Sequence, residues 1–470
     1  MFQLKNSITE YANEDKQMIL NNTDSLLTHS VSFHIFFKQN LLTIYSREDG
    51  IKWKKLFFSE VKALASEIQW WQTLFSIIDS LEAISADYTL VGSSALFAQG
   101  ILPASGPDKL EISLQWDLIP RAYTVLQAHA EIENHIGFKR FFLHYQDIEV
   151  GIIGYLNTVV STDPDRLMIE HADRKLWVKA LDYYVQTLAP EHPDRQAIKL
   201  HLQRLQQHNS QLNQAAWNQA TYDAWVYRHG TPQELAARIQ KDPRTRLASL
   251  NKYLPELNGK KIINLLGSHG SKAIAMALLG ADVTIVDISQ ENAHYAQEVA
   301  AAAGVHVRYL VTDVLNLPIE EHAADYDLVF MELGILHYFV DLAPLAQLVQ
   351  QILRPGGQLL LQDFHPVSTK LITSKGKKHK VTGNYFDKGL HVSNVAFSKH
   401  LPEGVQQAPQ QVYLRHWNLG EIVTGFAAAG LFIRRLDEEP NSKLDDIGLP
   451  KTFTLVAERP TYAHTQAEVV

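Results

Sequence analysis

The sequence predicts an α/β protein: an open, mostly parallel sheet in the C-terminal half, preceded by a separate α+β domain. Three observations carry that prediction. Residues 261–287, KIINLLGSHGSKAIAMALLGADVTIVD, run from an apolar strand into a glycine turn, a helix and a second apolar strand, which is one strand–helix–strand unit of a parallel sheet. The same alternation continues to residue 366. The polar stretch His208-Asn-Ser-Gln-Leu-Asn-Gln then reads as a linker between the two halves.

The chain has 470 residues, enough for two or three domains. Hydrophobic residues at 46% and charged residues at 20% describe a globular protein. A formal charge of −8 argues against a nucleic-acid footprint over the whole protein and leaves a local patch open. There is no cysteine, which excludes disulfides, thiolate nucleophiles and cysteine zinc sites. No metal site is expected. The first residues show no signal pattern and no apolar run approaches a membrane span, so a cytoplasmic protein with no membrane partner is expected. The expected division is 1–207, a linker at 208–216, and 217–470.

In the N-terminal part, residues 31–37 and 41–45 read as a hairpin, Asp49-Gly50 as a turn and 59–84 as a helix with apolar residues at helical spacing. A strand from Tyr88 ends in Gly92-Ser93-Ser94, and a short helix follows. Residues 110–117 and 147–153 read as strands, 119–130 and 165–208 as helical. This order over residues 85–205 resembles the nucleotidyltransferase fold of the polymerase-β type. The resemblance implies a Gly-Ser that holds nucleotide phosphates, and paired carboxylates at i and i+2 on the next strand with a third from a later strand, holding two Mg²⁺. Gly92-Ser93 and Glu149 match, but Lys109 and Glu111 stand where the paired acids belong, with Asp108 and Asp117 at the wrong spacing. Alternate strand positions share a face, so the spacing matters, and a lysine repels Mg²⁺. The expectation is a nucleotidyltransferase-like shell without catalysis.

In the C-terminal part, the turn Gly267-Ser268-His269-Gly270 lets backbone N–H groups approach a ligand. A dinucleotide fingerprint fails, because His269 and Lys272 stand where it needs glycines. Asp287, about twenty residues after the first glycine, suits a ribose diol. With Thr312-Asp313-Val314, the strand DYDLVFMELGILHYF and the segment LRPGGQLLLQDF, the region from about 217 to 459 resembles class I S-adenosylmethionine-dependent methyltransferases. That implies a Rossmann-like seven-stranded methyltransferase sheet with S-adenosyl-L-methionine as cofactor. By the resemblance Asn264, Gly267, Ser268, Gly270, Asp287, Ile288, Asp313, Val314 and Glu332 line the cofactor site, with Asp287 on the ribose and Asp313 on the adenine amino group. Asn264 stands where the family usually has an acid. Tyr222 and Trp225 are lid candidates on the helix before the first strand.

Residues at the carboxyl end of an open α/β sheet have the best claim on the site, so His337, Asp363 and His365 are the candidate general bases. The segment 367–413 reads as an irregular insertion roofing the pocket, with His365 facing the methyl group and a lysine-rich loop at 374–380. No Asn-Pro-Pro-Tyr-type element follows the fourth strand, which favours a small-molecule acceptor over nucleic acid. Three readings compete: a small-molecule methyltransferase with a non-catalytic N-terminal domain that shapes substrate access or assembly, a homodimer included; a bifunctional nucleotidylating and methylating enzyme; and an RNA-directed methyltransferase or non-catalytic adenosylmethionine-binding regulator.

Overall fold

A computed structural model describes residues 17–21, 32–38, 41–46, 54–102, 109–145, 147–375, 378–400, 411–441 and 448–461. Asp108, the turn at Asp49-Gly50, part of the lysine-rich loop and the tail after 461 lie outside the described residues. The chain divides into two compact units, Met1–Ala197 and Ile198–Val470.

The first unit opens with four strands, β1 (Gln17–Asn21), β2 (Ser32–Lys38), β3 (Leu41–Ser46) and β4 (Lys54–Phe57), paired antiparallel in chain order. The hairpin read at 31–45 is β2 and β3. Helix α1 (Phe58–Glu82) follows, then β5 (Tyr88–Leu90) and α2 (Gly92–Ala98). Next come β6 (Lys109–Gln115), α3 (Ile119–Val125), β7 (Glu133–Asn134), β8 (Phe138–Tyr145) and β9 (Ile148–Tyr155). The mixed sheet is completed by β10 (Arg166–His171) and β11 (Arg174–Lys179), in the order β10-β11-β5-β6-β9-β8-β7.

Here the structure corrects the sequence reading, which made 165–208 helical. β10 and β11 pair antiparallel across Ala172-Asp173, whose φ values of 47° and 61° are both left-handed. Two consecutive positive φ angles are the geometry of a type I′ hairpin turn. Leu176 and Val178 on β11 are buried at period two, so charges that read as helical alternation are strand alternation. Helix returns only with α4 (Leu181–Thr187) and α5 (Pro193–Trp217).

The expected linker 208–216 is also corrected: it is the last part of α5. Asn209 and Asn213 within it are buried, as is Gln206 two residues before it. Gln206 accepts from the Val340 N–H at 2.8 Å and donates to the Tyr338 carbonyl at 3.1 Å, and Asn213 accepts from the Tyr413 N–H at 3.3 Å.

The second unit continues with α6 (Thr221–His229), α7 (Pro232–Lys241) and α8 (Pro243–Leu247). The strand–helix alternation then runs β12 (Lys261–Leu265), α9 (Ser271–Leu278), β13 (Asp282–Asp287), α10 (Gln290–Ala302), β14 (Arg308–Val311), α11 (Ile319–His322), β15 (Tyr326–Glu332), α12 (Ala343–Ile352) and β16 (Leu353–Phe364). The insertion holds two antiparallel hairpins, β17 (Ile372–Lys375) with β18 (Lys378–Val381) and β19 (Leu390–Asn394) with β20 (Gln411–Arg415), so it is more regular than its sequence suggests. Helix α13 (Leu419–Ala428) leads to β21 (Phe432–Pro440) and β22 (Pro450–Glu458).

The seven strands order as β14-β13-β12-β15-β16-β22-β21, five parallel, with β22 antiparallel to both β16 and β21. This is the Rossmann-like sheet expected. β12, β13 and β15 are buried along nearly their whole length, as strands covered by helices on both faces must be. Their carboxyl ends converge where the sheet order reverses, which is where ligands sit in such sheets.

Candidate functional site

The turn after β12 is built by close approach to β13. A Cβ on Gly267 would lie 2.6 Å from Ile285 Cγ2 and 2.7 Å from Asn264 Oδ1, and one on Gly270 would lie 2.8 Å from Ile285 Cδ1. Only glycine lets the loop press that closely on the neighbouring strand. Asn264 is buried and donates to the Phe330 carbonyl at 3.1 Å, holding β12 to β15 beneath the turn.

Asp287 ends β13 directly opposite. Its Oδ2 accepts from the Ser268 N–H at 2.9 Å, and its Oδ1 accepts from the Ser289 N–H and the Asn292 amide, each at 3.0 Å. Burial pushes its carboxyl above the ordinary value, against the pull of these hydrogen bonds. A carboxylate has about four acceptor positions. Three donors engage it and the Ile288 backbone group adds to them, so the protein itself braces the carboxylate against the turn.

Around this pair, Asp313 accepts from the Leu315 N–H at 3.0 Å and so caps a short turn, while Val314 is buried in the core. The Ile288 carbonyl accepts from the Gln214 amide at 3.2 Å. Glu332, at the end of β15, pairs with Lys272 on α9. Tyr222 does not reach the glycine turn. Its N–H donates to Glu291 at 2.8 Å, its hydroxyl donates to Glu298, and its ring packs on His294 and Tyr295 of α10. Trp225, the other lid candidate, is buried, donates to the Asn292 side chain at 2.8 Å and has its ring 4.8 Å from that of His269 within the turn.

The sequence reading passed over His269 as a misfit in a dinucleotide fingerprint. Its ring also meets His229 at 4.8 Å, its Nδ1 is buried with no hydrogen-bond partner, and burial lowers its pKa well below the ordinary value. A cradle that only glycine fits, a buried carboxylate at the strand end and an unpartnered ring nitrogen suit an uncharged ribose and adenine better than a pyrophosphate.

At the end of β15 the three candidate bases separate. Asp363 accepts from the N–H groups of Gly334 (2.6 Å), Phe364 (2.7 Å), Leu336 (3.1 Å) and Ile335 (3.3 Å). It is the clamp that folds the loop after β15, and a carboxylate so saturated has no room for a substrate proton. His365 is buried and turned toward the sheet edge, with Nε2 2.7 Å from Glu438 on β21 and Nδ1 accepting from the Val367 N–H at 3.2 Å. Both ring nitrogens are engaged, which corrects the expectation that it faces the methyl group.

His337 is left. Its ring stands beside Tyr338 (4.5 Å) and His416 (6.2 Å), and burial alone lowers its pKa to about 4. The loop that carries it is tied down from several sides. Trp217 donates to the Tyr338 hydroxyl at 3.0 Å, Trp417 to the Leu336 carbonyl at 3.0 Å, and Arg415 to the Val340 carbonyl at 2.8 Å. The last two follow or end β20, so the insertion packs on this loop.

Residues 263–357 match the family model described as a methyltransferase domain. The chain carries an S-adenosylmethionine-dependent methyltransferase domain. A demethylmenaquinone methyltransferase of Thermus thermophilus is 28% identical over 183 residues, covering 37% of this chain and 76% of that protein. A ubiquinone biosynthesis O-methyltransferase of Xanthomonas euvesicatoria is 29% identical over 110 residues, covering 23% of this chain and 45% of that protein. The crystal structure of an S-adenosylmethionine-dependent methyltransferase from Mesorhizobium loti aligns with a TM-score of 0.37 at 22% identity, over 45% of this chain and 96% of that one. The matched residues 263–357 include the glycine turn, Asp287 and the strands β13, β14 and β15. Among the described residues no helix is long and apolar enough to cross a membrane.

The first unit, outside the methyltransferase domain, has a cavity of about 380 Å³ lined by Lys109, Glu111, Arg140, Phe142, Glu149 and Tyr155, among others. β6 and β9 run parallel with Lys109 opposite Glu149, and the Lys109 ammonium lies 3.4 Å from the Glu149 carboxylate. Glu111 Oε2 accepts from the Ser93 N–H at 2.9 Å and from the Ser93 hydroxyl at 3.2 Å. The Gly-Ser turn expected to hold a phosphate therefore holds a carboxylate of the protein itself. Among the described residues no group of three or more His, Asp or Glu side chains is arranged to hold a metal. Asp117 lies apart from this set, in the turn Trp116–Leu118.

Proposed function

We propose that the protein methylates a small-molecule acceptor at the carboxyl end of β15, with His337 accepting the acceptor's proton. The observation that carries this reading is the state of the three candidate bases: Asp363 and His365 are fully hydrogen-bonded, and His337 meets no counter-charge. Bound S-adenosylmethionine supplies a methyl group activated on a sulfonium. Asp287, the Ser268–Gly270 backbone and Asp313 hold it, in this reading, with Asn264 bracing the turn from below. Ile288, Val314 and Glu332 complete the walls.

Methyl transfer is an in-line displacement, and holding donor and nucleophile collinear supplies much of the acceleration. The clamp of Asp363 on residues 334–336 fixes where His337 stands. A buried neutral imidazole has one nitrogen free to accept a proton. The two curated relatives are named for demethylmenaquinone and for O-methylation in ubiquinone biosynthesis, and both names favour a small ring compound over a nucleic acid.

The N-terminal unit is proposed to be a nucleotidyltransferase-like shell without catalysis. Lys109 fills the position of a metal ligand, and Glu111 fills the phosphate position. The test is incubation of the whole protein with methyl-labelled S-adenosylmethionine and a cell extract separated into small-molecule and RNA fractions. Label in the small-molecule fraction, lost in His337→Gln, supports the reading. Label confined to RNA overturns it.

A further inference from the structure

The insertion after β16 brings a second set of ionisable side chains toward His337. His416, just after β20, has its ring 6.2 Å from that of His337 and 5.3 Å from that of His391 on β19. His391 in turn lies 2.9 Å from Asp387, and both are partly exposed, at 45% and 35% of their side-chain surface. The buried Lys370 donates to the Asp387 carbonyl at 2.6 Å and to the His416 carbonyl at 2.7 Å. One ammonium thus fixes the spacing of the two segments that carry these groups. The set forms a line from the interior, at His337, to the surface, at Asp387.

We propose that His416 and His391 carry the acceptor's proton from His337 to the surface, and that the acceptor reacts through a hydroxyl on a planar ring. The proposal rests on the reading that the acceptor meets His337. In the step, the acceptor's O–H bond breaks and its proton goes to His337. The oxygen's electron pair forms the new O–CH3 bond, and the sulfur keeps the pair of the broken C–S bond. The proton then passes to His416, to His391 and to water.

Distance supports the outer transfer. Two imidazole nitrogens sharing a hydrogen bond of ~2.9 Å put ring centres ~5 Å apart, close to the 5.3 Å between His416 and His391. The 6.2 Å between His337 and His416 closes by a small ring rotation or a bridging water. Electrostatics set the direction. Burial lowers His337 and His416 to about 4, with His337, His391 and Lys370 further disfavouring charge on His416 and Asp387 favouring it. Around Lys370 stand Glu421, Asp387, Arg415 and Lys388. At the outer end His391 holds the Asp387 carboxyl down to about 2, so a permanent negative charge waits beside the last imidazole. The buried inner pair disfavours the charged form, and the Asp387 carboxylate lies 2.9 Å from the outer imidazole.

A hydroxyl on a ring fits because the Tyr338 ring stands 4.5 Å from that of His337, with Phe364 near Gly334 of the loop that carries His337. A Cβ on Gly334 would lie 3.4 Å from the Phe364 ring and 3.5 Å from His337 Cε1, which places both rings at one edge of the loop.

The experiment uses the full chain with methyl-labelled S-adenosylmethionine and two probes, catechol and 1,4-dihydroxynaphthalene. Wild type should O-methylate at least one of them. His416→Asn should lower kcat about 10–100-fold at unchanged donor KM. His391→Ala should lower kcat less, and imidazole added to the buffer should restore it in proportion to its concentration, because a diffusing base replaces an exposed one but does not repair a fold. His391→Gln serves if the alanine variant unfolds. Three results overturn the proposal: neither probe methylated nor bound in the presence of S-adenosylhomocysteine, wild-type kcat in both variants, or a loss in the His391 variant that imidazole does not restore. Failure of the underlying reading looks different, since His337→Gln would then leave methyl transfer to the probes unchanged.

Discussion

Replacing Asp287 by alanine tests donor binding and the architecture of the turn together. In the structure the carboxylate accepts from Ser268, Ser289 and Asn292. Loss of a single charge-assisted hydrogen bond to the ribose costs ~1.5–3 kcal/mol, or about 10–150-fold in Kd. The protein itself loses an acceptor for two backbone N–H groups and an amide, each costing ~1–3 kcal/mol when left buried and unpaired. Part of that is offset, because burial raises the Asp287 pKa and the charge is itself costly to keep there. A net destabilisation of ~2–4 kcal/mol is expected. Calorimetry with S-adenosylhomocysteine reads the first quantity and thermal unfolding without ligand reads the second. Asp287→Asn, which keeps the volume and one acceptor oxygen, should fall between wild type and alanine on both. An alanine variant that binds S-adenosylhomocysteine like wild type would falsify the assignment of Asp287 to the ribose, whatever its melting temperature.

His365→Gln should keep turnover within about two-fold while lowering stability by ~1–3 kcal/mol, the cost of disturbing a buried hydrogen-bonded side chain; a hundred-fold fall in kcat would return His365 to the active site. His337 and His416 bind protons less readily folded than unfolded, since burial takes both from 6.5 to about 4. Their contribution to stability is therefore complete above about pH 6.5 and is lost as the pH falls toward 4, so in denaturant melts wild type should lose stability relative to the double variant His337→Gln/His416→Gln across that window, with a constant difference above it. Lys370→Met should raise hydrogen exchange across residues 378–394, because it removes the ammonium that ties Asp387 and His416 together; unchanged exchange there would mean the hairpins hold the insertion alone. The N-terminal unit should transfer no nucleotide from labelled nucleoside triphosphates with Mg²⁺ or Mn²⁺, and transfer abolished by Glu149→Ala would show the cavity to be active.

The C-terminal sheet was legible because each of its signals is local. An apolar run, a glycine turn, a helix and an acidic strand end fall within 27 contiguous residues, and pairing of β12 with β13 follows from the short connection. The N-terminal unit was less legible where a turn was made by unusual residues. Ala172-Asp173 adopts left-handed angles without a glycine to announce them, so the hairpin of β10 and β11 read as helix. The polar end of α5 misled in the opposite direction. Asparagine and glutamine suggest a linker, yet Gln206, Asn209 and Asn213 are buried, two of them on backbone N–H groups of Val340 and of Tyr413 in β20, more than a hundred residues away.

The site divides along the same line. Asn264, Gly267 and Asp287 lie at or just past the ends of β12 and β13, a placement that strand bounds alone dictate. The choice among histidines did not follow, because it depends on which partner reaches each ring. His365 lies one residue past β16, and only the antiparallel pairing of β21 and β22 brings Glu438 to its Nε2. His416 gave no signal of its own, since its relation to His337 arises from the return of the insertion through β20 and from Lys370, 46 residues earlier, on its carbonyl. A histidine next to the strand end was thus drawn away by a late strand. His416, from the far end of a long insertion, is brought to 6.2 Å from His337 by long-range pairing that no local pattern encodes.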